Sequence, residues 1–416
     1  MHQSRRGLVN YSEALEWLYS TQFFGIKLGL ENPKRLLREY LAYPPRRTKV
    51  IHVAGTNGKG STCAFIESVA RATGTRTGLF SSPHLVRYNE RIRVSGVEID
   101  DDEIASHLTA LRELVAEWES HPTFFELSLA LALKHFSERG CELVILETGM
   151  GGRLDATTAV PADVAVLTPI SLDHQQWLGE TIAEIAAEKA AIIVPRKKVF
   201  SSPQLPPART IIEQVANERR SPLEFVEDPL QGYALGLAGE HQRENAALAL
   251  EALHALGIPL NYETVKSGLG STAWPGRFEH IKPGPGIMAS HLILDIAHNP
   301  ASAKALAANW VREFGDCKAN LIFGAVEAKD VRGILEILLP ITAQLNFVPV
   351  NSPRALPPEE FAALLPPDSP PARTCQSLQS ALETQETLPA LVTGSAFLVG
   401  EVKALLEGSS HHSSAQ

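Results

Sequence analysis

A strand, a glycine-rich loop and a helix follow one another near the start of the chain, and this unit constrains the fold most. The apolar run Lys49–Val53 predicts a buried strand, and residues 63–72 predict a helix because apolar side chains recur there at helical spacing. A strand that feeds a helix through a short glycine loop is typical of parallel α/β sheets. We therefore expect an α/β protein with its ligand residues at the edge where parallel strands end.

The same alternation of short apolar runs and helical patterns continues through most of the 416 residues. That length exceeds one ordinary core, so two domains are expected. The predicted fold is an N-terminal P-loop mononucleotide-binding domain with a parallel sheet, followed by a smaller Rossmann-like α/β domain. A cluster of proline and glycine at 274–286 suggests a boundary that gives domains 1–285 and 286–416, with a disordered tail from about residue 408. Further strands are predicted at 142–146, 163–167, 292–295, 320–323, 345–350 and 390–393, and a long helix at 181–193.

Composition excludes several classes of protein. The net charge of −9 provides no general attraction for nucleic acid. Four widely spaced cysteines suit a reducing compartment and argue against a disulfide framework or a structural zinc site. No apolar run approaches the roughly 20 residues of a membrane-spanning helix, and the N-terminus lacks the apolar stretch of a signal peptide. We expect a cytoplasmic monomer that acts on small molecules, without nucleic-acid or membrane partners.

The glycine loop reads VAGTNGKGST and departs from the common phosphate-binding pattern. That pattern has four residues between its outer glycines and a serine or threonine directly after the lysine. Here two residues separate Gly55 from Gly58, and Gly60 stands between Lys59 and Ser61. The loop is therefore either a glycine-rich turn between a strand and a helix or a phosphate site with its own spacing.

Its position after a strand and before a helix favours the phosphate site. Glycines let backbone N–H groups approach phosphates closely, and a helix N-terminus favours anions. Lys59 can neutralise the β- and γ-phosphates, while the hydroxyl of Ser61 or Thr62 can reach a magnesium ion. These features alone indicate only nucleotide binding.

Polar residues follow two further predicted strands. Glu147 ends the apolar run LVILE, and Asp173 and His174 come just after the next strand, in SLDHQQWLG. A lone carboxylate there could cap a helix, and a lone histidine is more often structural. Because parallel strands end at one edge of a sheet, Glu147, His174 and the Ser61 hydroxyl together make a plausible metal shell around a nucleotide.

Lys189 lies in a nearly apolar helical segment, AAEKAAI. One interpretation is a surface lysine paired with Glu188 or Glu184. The other is a semi-buried lysine with a lowered pKa and unusual chemistry. The sequence alone does not decide between the two.

Six segments together resemble the folylpolyglutamate synthase/dihydrofolate synthase family, which belongs to the Mur ligase superfamily of ATP-dependent amide-forming enzymes. They are VAGTNGKGST, SSPHLVRYNERI, LETGMGGRLDATT, SLDHQQWLG with EKAAI, PGRFE and DIAHNP, in the order of that family. The resemblance runs from about residue 25 to about residue 405 of the 416, and the unusual spacing of the glycine loop is the family's own.

The resemblance implies which residues handle ATP and metal. Lys59, Glu147, His174 and Lys189 would be catalytic. One magnesium ion would be held by Ser61, Ser82 and Glu147, and a second by His174 with Lys189, which carbon dioxide would convert to a carbamate. K⁺ would be a further candidate ion. The ATP-binding positions implied are Gly55, Thr56, Asn57, Gly58, Lys59, Gly60, Ser61, Thr62, Asn245, Arg277, Asp295 and His298.

The resemblance also implies a pterin or folate site, although Phe125 is better interpreted as a core aromatic residue. Three positions depart from the family: Thr158 replaces the usual asparagine, Ile296 replaces the usual glycine, and Ala191 replaces the commoner glycine in EKAAI. With isoleucine at 296, the backbone near His298 is expected to differ. The implied pterin positions are Gly25, Thr123, Phe124, Phe125, Glu126, Leu154, Asp155 and Ala156.

The implied activity is the ATP-dependent addition of L-glutamate to dihydropteroate, to the glutamate tail of reduced folates, or to both, through an acyl phosphate. Two alternatives remain at this stage. One is a Mur-type ligase for another carboxylate, and the other is a P-loop kinase or nucleotide switch. Nothing in the sequence decides whether one or both glutamate additions are catalysed.

Overall fold

The computed structural model describes residues 10–24, 29–282, 289–327, 329–383 and 388–409, and it contains two sheets. The eight-stranded sheet has the order β4-β3-β2-β5-β1-β6-β7-β8. Six of its strands run parallel, while β3 is antiparallel to β2 and β4 to β3. Its strands are β1 Lys49–Ala54, β2 Thr77–Phe80, β3 Ile92–Val94, β4 Val97–Glu98, β5 Leu143–Glu147, β6 Val164–Leu167, β7 Lys198–Ser201 and β8 Leu223–Phe225.

Helices cover both faces of this sheet. The helix after the glycine loop packs on one face with two later helices, and the first helices of the chain contribute to the core on the other face. They are α1 Tyr11–Ser20, α2 Glu31–Glu39, α3 Lys59–Ala72, α4 Asp101–Val115, α5 Phe124–Glu138, α6 Gln175–Leu178, α7 Ile182–Ala190, α8 Pro206–Glu218, α9 His241–Ala255 and α10 Tyr262–Ser271, with short 3-10 helices at Thr21–Phe24, Tyr88–Arg91 and Ala156–Ala159.

The second sheet has six strands in the order β13-β12-β11-β14-β10-β9, all parallel except β9. Its strands are β9 Glu279–Ile281, β10 Leu292–Leu294, β11 Ala319–Phe323, β12 Thr342–Phe347, β13 Ala372–Thr374 and β14 Ala390–Thr393. Its helices are α11 Pro300–Phe314, α12 Val331–Leu338, α13 Pro358–Ala362, α14 Leu378–Leu382 and α15 Ala396–Glu407, with a 3-10 turn at Leu339–Ile341. The predicted fold class, two α/β domains with largely parallel sheets, is confirmed.

The position of β1 at the centre of the first sheet determines where the site lies. β1 pairs with β5 on one side and with β6 on the other, both in parallel. Val53 is level with Glu147 at the end of β5, and Ala54 is level with Leu167 at the end of β6. The glycine loop therefore leaves the sheet between the two loops that carry the other predicted site residues.

Three predicted elements have a boundary that differs from the structure by more than one residue. α3 begins at Lys59 rather than at residue 63, because Gly58 is a left-handed cap and the helix starts inside the loop. α7 ends at Ala190 rather than 193. Val348 and Val350 stay buried after the strand ends at Phe347, so there the apolar pattern indicates burial rather than pairing.

The change from one sheet to the other occurs between α10 and β9. β9 pairs with β10, so the second sheet already includes residues 279–281. The predicted boundary at 285/286 lies outside the described residues. α15 ends at Glu407 with Gly408 as a left-handed cap, and residues 410–416 also lie outside them. Among the described helices, none has the length and apolar character required to cross a bilayer.

Candidate functional site

The glycine loop has a backbone that only glycine fits at its centre. Gly58 has φ 86°, and a Cβ atom there would stand 2.5 Å from the Asn245 side-chain oxygen. At Gly60 a Cβ atom would stand 2.6 Å from the indole nitrogen of Trp274. Because α3 starts at Lys59, the free N–H groups of its first turn lie at this loop, as anion binding requires.

Thr56 and Asn57 attach the glycine loop to the loop after β6. The Thr56 hydroxyl donates to the Ser171 carbonyl at 3.0 Å, and the Ser171 amide donates back to that hydroxyl at 3.1 Å. Asn57 Nδ2 donates to the Ser171 hydroxyl at 3.2 Å. The two loops that carry predicted site residues are therefore fixed to each other.

Lys59 and Lys189 donate to the same carbonyl oxygen, that of Gly55, at 3.2 and 2.8 Å. Lys189 is only 5% exposed. Burial and the charge of Lys59 lower its pKa to about 7, against the opposing charges of Asp173 and Asp155. A substantial fraction of Lys189 is therefore a neutral amine near pH 7, which is the form that reacts with carbon dioxide.

The interpretation of Lys189 as a surface lysine is wrong. Glu188 pairs instead with Arg153, at 2.8 Å. Glu184 accepts from the amide and hydroxyl of Thr181 in the capping box of α7. The buried lysine is the alternative that the structure supports.

Glu147 lies at the carboxyl end of β5 and is 4% exposed. Its Oε2 accepts from the Ser82 amide at 3.3 Å. Burial raises the pKa of Glu147, while Lys59, the Ser82 amide, Arg277 and Arg91 act in the opposite direction. A buried carboxylate among cationic groups is suited to bridging a metal ion and an anionic ligand.

Gln242 is a site residue that the sequence did not reveal. Its side-chain nitrogen donates to the Ser61 hydroxyl at 3.3 Å, and its oxygen accepts from Asn245 at 2.9 Å. Asn245 in turn accepts from the Thr62 hydroxyl at 3.3 Å. Gln242 and Asn245 are three residues apart on α9 and so face the same way, which was the available signal.

His174 lies in the left-handed region, with φ 51°, and begins α6. Its side chain remains 41% exposed. Desolvation, followed by the charges of Lys329, His298 and Lys59, lowers its pKa to about 3 against the opposing effect of Asp173. The imidazole is therefore neutral at physiological pH, the form in which histidine binds metals.

Asp173 connects the two domains. Its carboxylate contacts His298 Nε2 at 3.2 Å, Lys329 Nζ at 2.5 Å and Asn299 Nδ2 at 3.4 Å, all from the second domain. Burial raises the pKa of Asp173, but the hydrogen bond and charge of His298, with Lys329 and His174, outweigh it and hold the pKa well below its usual range. Asn299 also exchanges two amide hydrogen bonds with Asn57, at 3.0 and 3.3 Å.

A second contact between the domains is apolar. Leu85 and Val86, from the loop after β2, belong to the same buried cluster as Ile296 of the second domain. Ile296 does not take positive φ, and it packs against Gly276, whose φ is 71°. The Ile296 amide donates to the Gly276 carbonyl at 3.0 Å, so the isoleucine fits without the strain that positive φ would cause.

Asp295 and Arg277 lie close to this contact. The two Asp295 oxygens accept from the Phe278 and Ala297 amides at 2.8 and 2.9 Å. Burial raises the pKa of Asp295 against the charge of Arg277. One cavity brings predicted residues of the site together; its lining includes Ser82, Glu147, Arg277, Trp274 and Ile296.

The predicted pterin segment at 123–126 has a clear structural role. Thr123 and Glu126 form the capping box of α5, with the Thr123 amide donating to Glu126 at 2.6 Å. Phe124 is buried and stacks on Tyr19 with ring centroids 5.5 Å apart. Phe125 packs against Phe80 at 5.4 Å, which supports its interpretation as a core aromatic residue.

Asp155 organises the other predicted pterin segment. Its oxygens accept from the Gly149 and Met150 amides, both at 2.9 Å, and from the Thr157 amide at 3.0 Å. Ala156 is buried beside it and Leu154 is half-buried. The Thr158 hydroxyl, at the position of the usual asparagine, donates to the Gly152 carbonyl at 2.6 Å. Gly25 lies outside the described residues.

The metal ligands implied by the resemblance lie around the glycine loop but do not form a ready-made cation site. Among the described residues, no three His, Cys, Asp or Glu side chains gather where they could hold an ion. The candidate donors are instead two serine hydroxyls, the buried Glu147, the neutral imidazole of His174 and the buried amine of Lys189. Such a set fits a divalent cation only if Lys189 becomes anionic and nucleotide oxygens complete the shell.

Comparison with known proteins points to the same family as the sequence segments. Residues 53–201 match the Mur ligase middle domain. The chain is 33% identical over 377 residues to a dihydrofolate synthase/folylpolyglutamate synthase from Bacillus subtilis, covering 83% of this chain and 86% of the relative. The structure of Escherichia coli FolC in complex with DHPP and ADP has a TM-score of 0.83 and 31% identity, covering 95% of this chain and 98% of that one.

A further solved structure, a bifunctional folylpolyglutamate synthase/dihydrofolate synthase with Mn, AMPPNP and L-glutamate bound, has a TM-score of 0.84. It is 32% identical, with coverage of 96% of this chain and 100% of the other. The fold, the glycine loop and the middle-domain match define an ATP-dependent ligase of the Mur type. More narrowly, the chain belongs to the dihydrofolate synthase/folylpolyglutamate synthase family. The predicted family is confirmed, and the kinase or nucleotide-switch alternative is not supported.

Replacing Gly58 by alanine tests the fit of the loop. We expect Gly58→Ala to lose stability and ADP affinity, because the new Cβ both strains the backbone and collides with Asn245. Gly74→Ala is the matched control, since Gly74 has φ 87° with nothing within 4 Å. In denaturant unfolding, Gly74→Ala should lower the free energy of unfolding only by the backbone strain, about 1–2 kcal/mol. Equal losses in the two variants would contradict the collision.

The buried amine of Lys189 predicts a pH-dependent stability. Between its folded pKa of about 7 and the ordinary value of 10.5, the unfolded chain binds more protons, so the free energy of unfolding rises with pH. Relative to Lys189→Met, the free energy of unfolding of the wild-type protein should therefore increase by up to ~1.4 kcal/mol per pH unit over this interval. Urea unfolding in carbonate-free buffer measures the difference. Lys197→Met, at a side chain 45% exposed, is the control, and parallel curves for Lys189→Met would refute the lowered pKa.

Proposed function

We propose that this protein joins L-glutamate to the carboxylate of dihydropteroate, of reduced folates or of both, with ATP as the source of activation. The observation that carries the proposal is the pair Lys59 and Lys189 on the Gly55 carbonyl, one ammonium for a phosphate and one buried amine for modification. Family membership supports the substrate class. The substrate comparison described below decides whether the protein adds the first glutamate, later glutamates or both.

The residues of the chain divide the work between binding and activation. The N–H groups of the glycine loop and Lys59 bind the ATP phosphates and stabilise the charge on the γ-phosphoryl group during transfer. Divalent cations held by Ser61, Ser82 and Glu147 on one side, and by His174 and carbamylated Lys189 on the other, would supply further charge neutralisation. Arg277 contacts the nucleotide, and the Asp295–His298 segment holds it from the second domain.

The reaction has two steps. An oxygen of the substrate carboxylate attacks the γ-phosphorus, the bond to the β-phosphate oxygen breaks, and an acyl phosphate and ADP result. The amino group of glutamate then attacks the acyl carbon, the carbon–oxygen bond to phosphate breaks, and the amine loses a proton. Because the acyl phosphate also reacts with water, the two domains must exclude solvent around it.

The remaining assignments are part of the same proposal. We infer two Mg²⁺ ions, carbon dioxide as the modifier of Lys189, and K⁺ as a further candidate ion. We also infer a monomer in the cytoplasm, with a first domain for ATP and the pterin acid and a second for glutamate and nucleotide. The pterin acid is assigned to the segments at 123–126 and 154–156.

The direct test is the substrate requirement for ADP release. Purified protein should release ADP rapidly only when a pterin acid and L-glutamate are both present, and amide product should appear in equal amount. Dihydropteroate is compared with mono- and diglutamylated folates to define the substrate range. An equal rate of ATP hydrolysis without either substrate would sink the ligase assignment.

Modification of Lys189 is tested by its removal. Lys189→Ala should lower the turnover number on the order of 10²–10³-fold, because one stabilising group at the transferring phosphoryl is lost. A short carboxylate such as acetate, which resembles the carbamate, should restore part of the activity. Lys197→Ala is the control for loss of a lysine elsewhere. Near-normal turnover by Lys189→Ala would remove the carbamate from the mechanism.

A further inference from the structure

Lys329 lies at the site but has no part in the reaction described above. It belongs to the loop between β11 and α12 of the second domain, and its ammonium is 2.5 Å from Asp173 Oδ1 in the first. The two side chains are only 11% and 7% exposed. The ion pair is thus buried between the domains, beside the loop that carries His174.

Asp173 is saturated with donors. Oδ1 accepts from the His174 amide at 2.9 Å and from Lys329, and Oδ2 accepts from His298 at 3.2 Å and Asn299 at 3.4 Å. A carboxylate offers about four acceptor positions, and all are used here. The Asp173 carboxylate of the first domain therefore contacts three side chains of the second domain.

These three side chains come from two separate segments. His298 and Asn299 lie at the start of α11, whereas Lys329 comes from the loop after β11. Contact at two segments restricts rotation of the second domain about Asp173 more than contact at one segment would. The Asn57–Asn299 amide pair attaches the same point to the glycine loop.

Burial distinguishes this ion pair from ordinary surface pairs. Exposed pairs contribute little to stability, because water screens them. A buried pair that loses one partner leaves an uncompensated charge in a poorly solvated place, which strongly disfavours that arrangement. Removing the Lys329 ammonium would therefore weaken the contact between the domains at Asp173 in particular.

We propose that Lys329 is a positioning residue that fixes the second domain on Asp173, so that the acyl phosphate meets the glutamate amine rather than water. The proposal rests on the ligase function given above. An acyl phosphate has two fates: attack by the amine forms the amide and releases phosphate, and attack by water regenerates the carboxylate and releases phosphate. Without Lys329, water attacks more of the acyl phosphate, and ATP is consumed without amide formation.

The test measures ADP released per amide formed. The unmodified protein should give a ratio near one, and Lys329→Met should raise this ratio several-fold and raise the KM for glutamate more than the KM for ATP. Lys329→Arg, which keeps a cation, should restore the ratio toward one. Lys304→Met, at an exposed lysine of α11, is the matched control and should leave the ratio unchanged.

The outcomes separate this role from a general structural one. If Lys329→Met keeps a ratio of one, the proposal is overturned even where turnover falls. An enzyme that is only less stable still releases one ADP for each amide formed. If Lys329→Met unfolds too readily to assay, Lys329→Gln is measured by the same criterion. Failure of the unmodified protein to form any amide would instead refute the proposed function, so the two failures are distinguishable.

Discussion

The sharing of the Gly55 carbonyl oxygen by two lysine side chains is the constraint on which the rest of the site depends. Two ammonium ions so close together repel each other, and the buried one is disfavoured further by desolvation. The repulsion is relieved when Lys189 is neutral, and the arrangement becomes favourable when an anion lies beside the two lysines. In the proposed function, phosphate at Lys59 and a carbamate at Lys189 would provide such anions.

The two domains meet on both sides of that loop, and the two contacts differ in kind. On the β2 side, Leu85 packs against Ile296 in an apolar cluster, which tolerates small changes of angle. On the β6 side, Asp173 receives directional hydrogen bonds and charges. The polar side therefore restricts the relative orientation of the two domains more strongly than the apolar side does.

Much of this could be predicted from the sequence, because it depends on local pattern. The strand, glycine loop and following helix were predicted from periodicity, and Glu147 and His174 from their place after strands. The T-x-x-E spacing of Thr123 and Glu126 signals the capping box of α5, a structural role that exists beside the pterin contact implied by the resemblance. The spacing of Gln242 to Asn245 on one helix was the only signal for Gln242, and Lys329 could not be predicted, since their roles depend on how distant helices and a second domain dock.

The contact between Gly276 and Ile296 has a consequence for how this protein can change over time. A Cβ atom on residue 276 would stand 2.8 Å from the Ile296 Cγ2 atom, so the two positions share one volume. The φ of 71° at Gly276 disfavours any larger residue there, whatever stands at 296. Position 276 should therefore stay glycine in descendants of this sequence, while position 296 can change to other residues whose side chains leave room for the Gly276 backbone.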